Sequence, residues 1–321
     1  RVVFEEEGDL ATVRVSEAVE DTRLRGMSID GVTIGATPGW SYPIYSKQVL
    51  IAHLPMWLEP RVRSALQIGL GSASTLEALA RHPELERIEC VEISAAGVRG
   101  SHYFAEARVL EDPRVRVRVE DAIHLLLRTT ERYDLIVADG KQNEDFSGTS
   151  KMMSRELYQL ALDRLTEHGL FVQWVPIANG VHEFRTIVRT QASVFPHLDV
   201  FYDPPLSAIF VGAKQPLAGR PRMPADEARR RMGPDLARLG FRDPLWIRFE
   251  WLADRDALAR AAGEGPLNTW DDSVIEFASY RADRRAQGEL GYAAASNLAW
   301  LLEAAADARA RAPRDLVAPT A

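Results

Sequence analysis

The stretch Ala65-Leu-Gln-Ile-Gly-Leu-Gly-Ser-Ala-Ser-Thr75 decides the fold, together with the stretch Arg87-Ile-Glu-Cys-Val-Glu-Ile93 that follows it. The pattern is typical of a strand, a glycine turn, the start of a helix, and a second strand that ends in a carboxylate, Glu92. The glycines let the backbone approach a ligand closely, the helix start offers N–H groups, and the carboxylate can bind ribose hydroxyls. The sequence therefore predicts a site for a nucleoside-bearing cofactor. A G-x-G-x-x-S turn suits NAD, FAD and S-adenosylmethionine alike.

The composition is that of an ordinary soluble protein. With 321 residues, 46% apolar and 26% charged, the chain can bury the core of one large domain or of two domains. A formal net charge of -7 argues against a nucleic-acid partner, because binding to phosphates needs an excess of basic residues. The one cysteine, Cys90, lies in an apolar strand pattern, which excludes a disulfide framework and indicates a reducing compartment.

The pattern of strands and helices divides the chain into three regions. Residues 1–58 alternate like antiparallel strands and end in a helix, which predicts a β-rich N-terminal cap. Residues 59–215 alternate between strands and helices, which predicts a Rossmann-like nucleoside-binding catalytic domain. Residues 216–321 contain helical stretches rich in Arg and Ala, which we interpret as a helical C-terminal extension without chemistry of its own.

The end of the middle region distinguishes two related folds. The predicted strands Leu198–Tyr202 and Ser207–Gly212 are too close in sequence for a helix between them, so they should form an antiparallel hairpin. A mostly parallel sheet that finishes in a hairpin is typical of class I S-adenosylmethionine methyltransferase-like proteins and is less usual for NAD-binding domains. The sequence therefore predicts an α/β fold of this Rossmann-like class, with an adenosyl sulfonium as its favoured ligand.

Four consecutive predicted strands each end in glycine or a carboxylate. The residues concerned are Gly69, Glu92, Asp121 and Asp139. Because ligands bind beyond the carboxyl ends of the strands in an open α/β sheet, we expect these residues to surround one site. Taken singly, the position of Asp121 is equally typical of a helix N-cap, and that of Asp139 of a solvated loop.

Two sets of motifs point to a family. The first set is His53-Leu-Pro55, Val91-Glu-Ile93, Asp112-Pro-Arg-Val115, Glu120-Asp-Ala122, Tyr133-Asp-Leu-Ile-Val-Ala-Asp139 and Ser154-Arg-Glu-Leu-Tyr158. With these motifs the chain resembles the spermidine synthase, or polyamine aminopropyltransferase, family over about residues 1–213. The second set is Phe171-Val-Gln-Trp-Val-Pro176, Val194-Phe-Pro-His197, Pro266-Leu-Asn-Thr269 and Glu276-Phe277. It is similar to a bacterial branch in which this domain is fused to a membrane transporter-like region.

The first residue, Arg1, is not methionine, which we interpret as the sign of either an excised domain, as a membrane-fused parent would explain, or a processed product. We expect a cytoplasmic location, either as a soluble protein or as the cytoplasmic domain of a membrane protein. Family members commonly form homodimers, and we expect a homodimer here.

The resemblance implies a role for each residue of the predicted site. Glu92 would hold the ribose, Asp121 and Ala122 would hold the adenine edge, and Asp139 would be the general base. The glycine turn would hold the nucleoside and its tail. The implied nucleoside-binding residues are Gly69, Leu70, Gly71, Ser74, Glu92, Ile93, Asp121 and Ala122, and the implied catalytic residues are Asp139, Gln142 and Tyr45.

The acceptor side of the site departs from the family's pattern. The family's loop after the fourth strand reads Asp-Ser-Ser-Asp, whereas this chain has Asp139-Gly-Lys-Gln142. The family's Tyr-His-Glu or Tyr-Gln-Glu falls on Lys47-Gln48-Val49, so acids are lost and two lysines, Lys47 and Lys141, are gained. Tyr45, two positions earlier, would replace the missing tyrosine if the helix begins differently.

The two lysines change what the site can bind, and Gln48, Lys47 and Lys141 are the expected substrate residues. An ammonium group ~4 Å from a dicationic amine repels it by about 1 to 4 kcal/mol, depending on the dielectric. The same lysines suit a carboxylate, either that of intact S-adenosylmethionine or that of an amino-acid acceptor. In the alternative arrangement, both lysines point into solvent and Glu144 or Asp145 supplies the missing acid.

The sequence thus predicts a spermidine synthase-like transferase that moves an aminopropyl group from decarboxylated S-adenosylmethionine to a small amine and releases methylthioadenosine. One alternative is an enzyme that uses intact S-adenosylmethionine for aminocarboxypropyl transfer, side-chain cyclisation or methyl transfer. Another is a non-catalytic nucleoside sensor. The seven histidines have no ligand spacing, so we predict no metal.

Overall fold

The structure, a computed structural model, describes residues 1–140, 149–203, 207–243, 250–276 and 289–311. Contacts divide the chain into two compact units, one made of residues 1–141 and 221–246 and the other of residues 142–220 and 247–321. This division differs from the boundaries predicted after residues 58 and 215, because part of the C-terminal region packs with the N-terminal part of the chain. The three predicted domains stay a prediction.

The first unit begins with an antiparallel sheet whose four strands follow one another in chain order. Along the second strand the side chains of Val13 and Val15 are fully buried and that of Arg14 is exposed, as the period of two in a strand requires. The predicted small N-terminal β region is thus confirmed. The strands are β1 (Val2–Glu7), β2 (Thr12–Glu17), β3 (Arg25–Ile29) and β4 (Val32–Ala36).

Helix α1 (Tyr42–Leu58) leads from this sheet to the glycine turn. Pro43 is tolerated near its start because the first N–H groups of a helix need no partner within it. Every residue of α1 from Tyr45 onward is buried, which fits a helix that is apolar on most sides. Lys47 and Gln48 therefore lie in a buried helix.

Four parallel strands follow in the first unit, in the spatial order β8, β5, β6, β7. Because they are parallel, their carboxyl ends meet at one edge. Gly69, Glu92, Asp121 and Asp139 lie at these four ends. The elements are β5 (Ser64–Ile68), α2 (Ser74–Ala80), β6 (Arg87–Glu92), α3 (Ala95–Ser101), β7 (Val115–Val119), α4 (Ala122–Arg128), β8 (Tyr133–Ala138) and, later in the chain, α7 (Ala225–Arg238).

The second unit contains four strands that pair antiparallel in the order β12, β10, β11, β9. Its β10 and β11 form the antiparallel hairpin that the sequence predicts. The elements are α5 (Arg155–Arg164), β9 (Leu165–Pro176), α6 (Val181–Val194), β10 (His197–Asp203), β11 (Ser207–Ala213), β12 (Trp251–Asp254), α8 (Arg255–Ala262) and α9 (Glu289–Arg309).

Three elements differ from the sequence pattern. The helical sequence pattern from Ser154 continues to Glu167, but α5 ends at Arg164, because the backbone is extended at the fully buried Leu165. The helical sequence pattern from Ser94 continues to Ala107, but α3 ends at Ser101, after two glycines that weaken the helix. A short 3₁₀ helix, Ala105–Glu111, follows. The C-terminal region, predicted as helical, also contains the strand β12.

Candidate active site

The glycine turn after β5 packs directly against the loop after β8. Gly69 has a φ of +88°, in the region that favours glycine. A Cβ atom on Gly69 would lie 2.9 Å from both the N and the Cα atom of Gly140. The N–H group of Gly69 donates to the carbonyl oxygen of Val91 at 2.8 Å. Only glycine therefore fits where these strand ends meet, and the turn is brought next to Asp139.

Glu92, at the end of β6, holds the same turn with its carboxylate. Its Oε2 atom accepts a hydrogen bond from the N–H group of Leu70, and its Oε1 atom accepts one from that of Ser94, both at 2.9 Å. Burial raises the pKa of Glu92, and the hydrogen bonds from the backbone oppose this increase. The residue predicted to hold the ribose thus fixes the shape of the glycine turn.

Ile93 and Asp121 follow Glu92 along the carboxyl ends of the parallel strands. The side chain of Ile93 is 51% exposed and gives an uncovered apolar surface next to Glu92. The Oδ1 atom of Asp121 accepts hydrogen bonds from the N–H groups of Ile123 at 2.7 Å and His124 at 3.3 Å, so Asp121 is the N-cap of α4. A role in binding the adenine edge is compatible with this N-cap role, because the Oδ2 atom of Asp121 takes no part in these two hydrogen bonds.

Asp139 is the centre of the polar contacts of the site, although its side chain is only 3% exposed. Its Oδ1 atom accepts a hydrogen bond from Nζ of Lys47 at 3.3 Å, and its Oδ2 atom accepts one from Oγ1 of Thr75 at 2.7 Å. The Thr75 hydroxyl also lies 3.1 Å from the carbonyl oxygen of Gln48, so its single proton serves one acceptor at a time. Asp139 therefore joins α1, α2 and the end of β8.

The side chain of Lys47 points into the site and is 8% exposed. The alternative in which it points into solvent is therefore wrong for this lysine. Its ion pair with Asp139 is buried, so removal of one partner without replacement would cost about 3–5 kcal/mol. The other residues of that alternative, and one predicted catalytic residue, lie outside the described residues: Lys141, Gln142, Glu144 and Asp145.

Gln48 connects the N-terminal sheet with the glycine turn. Its Nε2 atom donates to the carbonyl oxygen of Ile34 in β4 at 3.4 Å. Its Oε1 atom accepts a hydrogen bond from Oγ of Ser72 at 3.4 Å. The hydroxyl oxygens of Ser72 and Ser74 are 2.9 Å apart. The predicted residues Gln48 and Ser74 are thus brought to the same turn, both buried.

Tyr45, a predicted catalytic residue, has its hydroxyl group elsewhere in the first unit. That group accepts a hydrogen bond from Nη1 of Arg238 in α7 at 3.2 Å. Burial raises the pKa of Tyr45, and the hydrogen bond from Arg238 opposes the increase. The described contacts of this hydroxyl group are therefore with α7 and not with Asp139.

One residue of the site is missing from the sequence-based set. The sequence pattern points only to the N–H groups of Thr75 and its neighbours at the start of α2, yet the Thr75 hydroxyl donates a hydrogen bond to Asp139. Its position in the first helical turn after a glycine turn, facing the neighbouring strand ends, is the signal in the sequence. Among the described residues, no group of three or more His, Cys, Asp or Glu side chains is arranged to hold a metal ion.

A comparison with family models identifies this region. Residues 44–202 match the family model described as the spermine/spermidine synthase domain. The glycine turn, Glu92, Asp139 and Lys47 all lie within it. The family resemblance predicted from the sequence is confirmed for these residues, which make up just under half of the chain. The fusion to a membrane region stays a prediction.

The chain is similar to a curated polyamine aminopropyltransferase of Moorella thermoacetica. The two are 32% identical over 151 residues, which are 46% of this chain and 52% of the relative. A relative of the same name from Thermococcus kodakarensis is 32% identical over 132 residues, 38% of this chain and 45% of the relative. The chain thus spans about half the length of the curated relatives it matches.

The fold is also that of known structures. A spermidine synthase in complex with the transition-state analogue AdoDATO superposes with a TM-score of 0.63 at 17% identity, covering 91% of this chain and 89% of the other. The spermidine synthase of Thermotoga maritima superposes with a TM-score of 0.58 at 18% identity, covering 91% and 87%. The predicted α/β, class I methyltransferase-like fold is confirmed. Within the described residues, no helix is long and apolar enough to cross a membrane.

Proposed function

We propose that this protein is an aminopropyltransferase that transfers an aminopropyl group from decarboxylated S-adenosylmethionine to a small-molecule amine. The observation that carries the proposal is the position of Asp139. Its carboxylate lies at the strand end that packs, through Gly140, against the glycine turn. A base at this point is next to the turn that would hold the donor's nucleoside.

The donor side of the site supports the same function. The carboxylate of Glu92 lies beside the glycine turn, where it would bind the ribose hydroxyls, and the exposed Ile93 would contact the adenine ring. Asp121 and Ala122 at the start of α4 would hold the adenine edge. Decarboxylated S-adenosylmethionine would therefore be bound as a co-substrate along the strand ends β5 to β7.

The chemistry needs one proton acceptor. The nitrogen of the acceptor attacks the methylene carbon next to the sulfonium sulfur, the C–N bond forms, and the C–S bond breaks. Its electron pair goes to sulfur, so methylthioadenosine leaves as a neutral thioether. The proton lost by the amine goes to the carboxylate of Asp139, which Lys47 and Thr75 hold in place. Such a proton transfer contributes roughly 10²–10⁴-fold to the rate.

Replacement of the base tests this proposal. Asp139→Asn has the same size but no basic carboxylate, and its single oxygen keeps one of the two hydrogen bonds, from Lys47 or from Thr75. We expect the release of methylthioadenosine to fall by roughly 10²-fold or more, while calorimetry shows donor binding within a few-fold of the unchanged protein. The control is Asp163→Asn, which changes an exposed carboxylate on α5 and should leave both quantities unchanged. Unchanged turnover in Asp139→Asn would remove the base from the mechanism.

We also propose that the protein acts as a homodimer in the cytoplasm. The support is the resemblance to the spermidine synthase family, whose members commonly form homodimers. Light scattering of the purified chain checks the dimer, and a mass of one chain, 35.8 kDa, at micromolar concentration would contradict it.

A further inference from the structure

The ion pair of Lys47 and Asp139 places opposite charges side by side in the site. The two atoms, Nζ and Oδ1, are 3.3 Å apart, and both side chains are more than nine-tenths buried. Lys47 lies in the buried helix α1, and Asp139 follows the last residue of β8. The amine that approaches Asp139 therefore meets an ammonium group beside the carboxylate.

This arrangement disfavours an acceptor that carries only positive charge. At ~4 Å a second ammonium is repelled by about 1 to 4 kcal/mol, depending on the dielectric. A group that carries an amine and a carboxylate on the same carbon avoids this repulsion, because its carboxylate is attracted to Lys47. The nitrogen and the carboxylate oxygens of such a group lie close together. The carboxylate of Asp139 and the ammonium of Lys47 also lie close together, so the two pairs of charges are complementary.

We propose that the Lys47–Asp139 pair binds an α-amino-carboxylate group, whose amine faces Asp139 and whose carboxylate binds Lys47. The proposal rests on the proposed function, since it assigns the substrate class of that same site. It makes Lys47 a specificity-determining residue. Hydrogen bonds to charged groups contribute about 1.5–3 kcal/mol, which corresponds to a preference of roughly tenfold or more for the carboxylated compound.

Two substrates can supply this group. One is an amino-acid acceptor, whose α-amine attacks the donor's methylene carbon. The other is the tail of intact S-adenosylmethionine, whose own α-amine attacks the methylene carbon bonded to sulfur and closes a ring. In both cases one C–N bond forms and one C–S bond breaks, methylthioadenosine leaves with the electron pair, and the amine proton goes to Asp139.

Two pairs of compounds that differ only in a carboxylate test the proposal. Calorimetry compares the binding of S-adenosylmethionine with that of its decarboxylated form, which addresses the donor. Release of methylthioadenosine from the decarboxylated donor compares ornithine with putrescine as acceptors, and release from S-adenosylmethionine alone tests ring closure. We expect the carboxylated member to be preferred by roughly tenfold or more in one pair.

Variants of Lys47 decide whether this residue causes the preference. In Lys47→Gln the ratio between the carboxylated and decarboxylated members should fall to within about threefold of one, and Lys47→Arg should restore most of it, because both lysine and arginine carry the charge. The control is Lys214→Gln, whose ammonium group donates to the carbonyl oxygen of Leu165 in the second unit; it should keep the ratio of the unchanged protein.

The outcomes separate this proposal from the proposed function. If the decarboxylated donor and putrescine release methylthioadenosine and neither carboxylated compound is preferred, the function stands and the role of Lys47 is overturned. If S-adenosylmethionine binds more tightly in a Lys47-dependent way but no combination releases methylthioadenosine, the role of Lys47 stands and the function fails. A preference that Lys47→Gln leaves unchanged also overturns the proposal.

Discussion

Ala73 adopts a backbone conformation that is costly for its type. It lies between the glycine turn and α2 with a φ of +65°, a left-handed conformation that costs an L-residue about 1–2 kcal/mol. Its N–H group donates to the carbonyl oxygen of Leu70 at 3.0 Å, and its side chain is buried. The turn thus keeps a strained residue next to the site, and this strain is measurable.

Substitution by glycine measures the strain at Ala73. Ala73→Gly should change the free energy of unfolding by less than about 1 kcal/mol, because relief of the left-handed conformation offsets the lost methyl group and the added freedom of the unfolded chain. The matched control is Ala78→Gly, at a buried position inside α2, which should lower it by about 1–2 kcal/mol. Urea denaturation compares the two, and equal losses would contradict the strain.

At the scale of elements, a buried chain of polar groups ties α1 to the end of α2 and to α7. Nδ1 of His53 lies 2.9 Å from Nε2 of His82, and Nε2 of His53 lies 3.1 Å from Oδ2 of Asp235. Arg81 forms an ion pair with the same Oδ2 atom at 2.7 Å. If Nε2 of His53 donates to Asp235, its Nδ1 atom accepts the hydrogen bond from Nε2 of His82. These contacts fix the helices that carry Lys47 and Thr75.

The buried His82 makes stability depend on pH. Burial lowers the pKa of His82 well below its usual value, and the charges of neighbouring groups add to this decrease. The unfolded chain binds a proton below about pH 6.5 that the folded chain does not. The free energy of unfolding is therefore not affected by His82 above about pH 6.5. Below that pH, protonation of His82 in the unfolded chain lowers the free energy of unfolding by up to about 1.4 kcal/mol per pH unit.

Denaturation at pH 7 and at pH 5.5 checks this expectation through the slope of stability against pH. His82→Gln should reduce the slope by the contribution of one proton, whatever its effect on stability at pH 7. His168→Gln, which changes an exposed histidine, should reduce it much less. A slope that His82→Gln leaves unchanged would show that His82 is not the group that titrates.

At the scale of the whole molecule, the first unit depends on a segment that is distant in sequence. Helix α7 supplies Asp235 to His53 and Arg238 to Tyr45. Nearby, the N–H group of Met223 donates to the carbonyl oxygen of Trp57 at 3.1 Å. A buried polar group that loses its partner costs about 1–3 kcal/mol. The stability of α1 therefore depends on residues beyond the boundary predicted at 215.

Truncation checks this dependence. A chain that ends at residue 215 lacks α7, so the amide protons of α1 should exchange with solvent quickly. A chain that ends at residue 246 retains α7, and there the amide protons of α1 should be protected. Hydrogen exchange measured by mass spectrometry compares the two chains. Equal protection of α1 would mean that the first unit does not need α7.

The parts of the fold that the sequence predicts are those set by short-range patterns. The glycine turn, the alternation of strands and helices, and the carboxylates at strand ends follow from local periodicity, and even the contact of Glu92 with Leu70 spans only 22 positions. The contact of Lys47 with Asp139 spans 92 positions, and that of His53 with Asp235 spans 182. Such contacts depend on packing between distant helices, for which a single sequence has no local signal.

The close approach of Gly69 to Gly140 has a consequence for any redesign of the proposed active site. Two peptide backbones touch there without any side chain between them, so a single added methyl group would push the glycine turn away from Asp139, the proposed base. A displacement of ~1 Å at such a point can cost about 10²-fold in rate. Under the proposed function, a change of acceptor is therefore better sought by substituting Lys47 or Gln48 than by substituting Gly69 or Gly140.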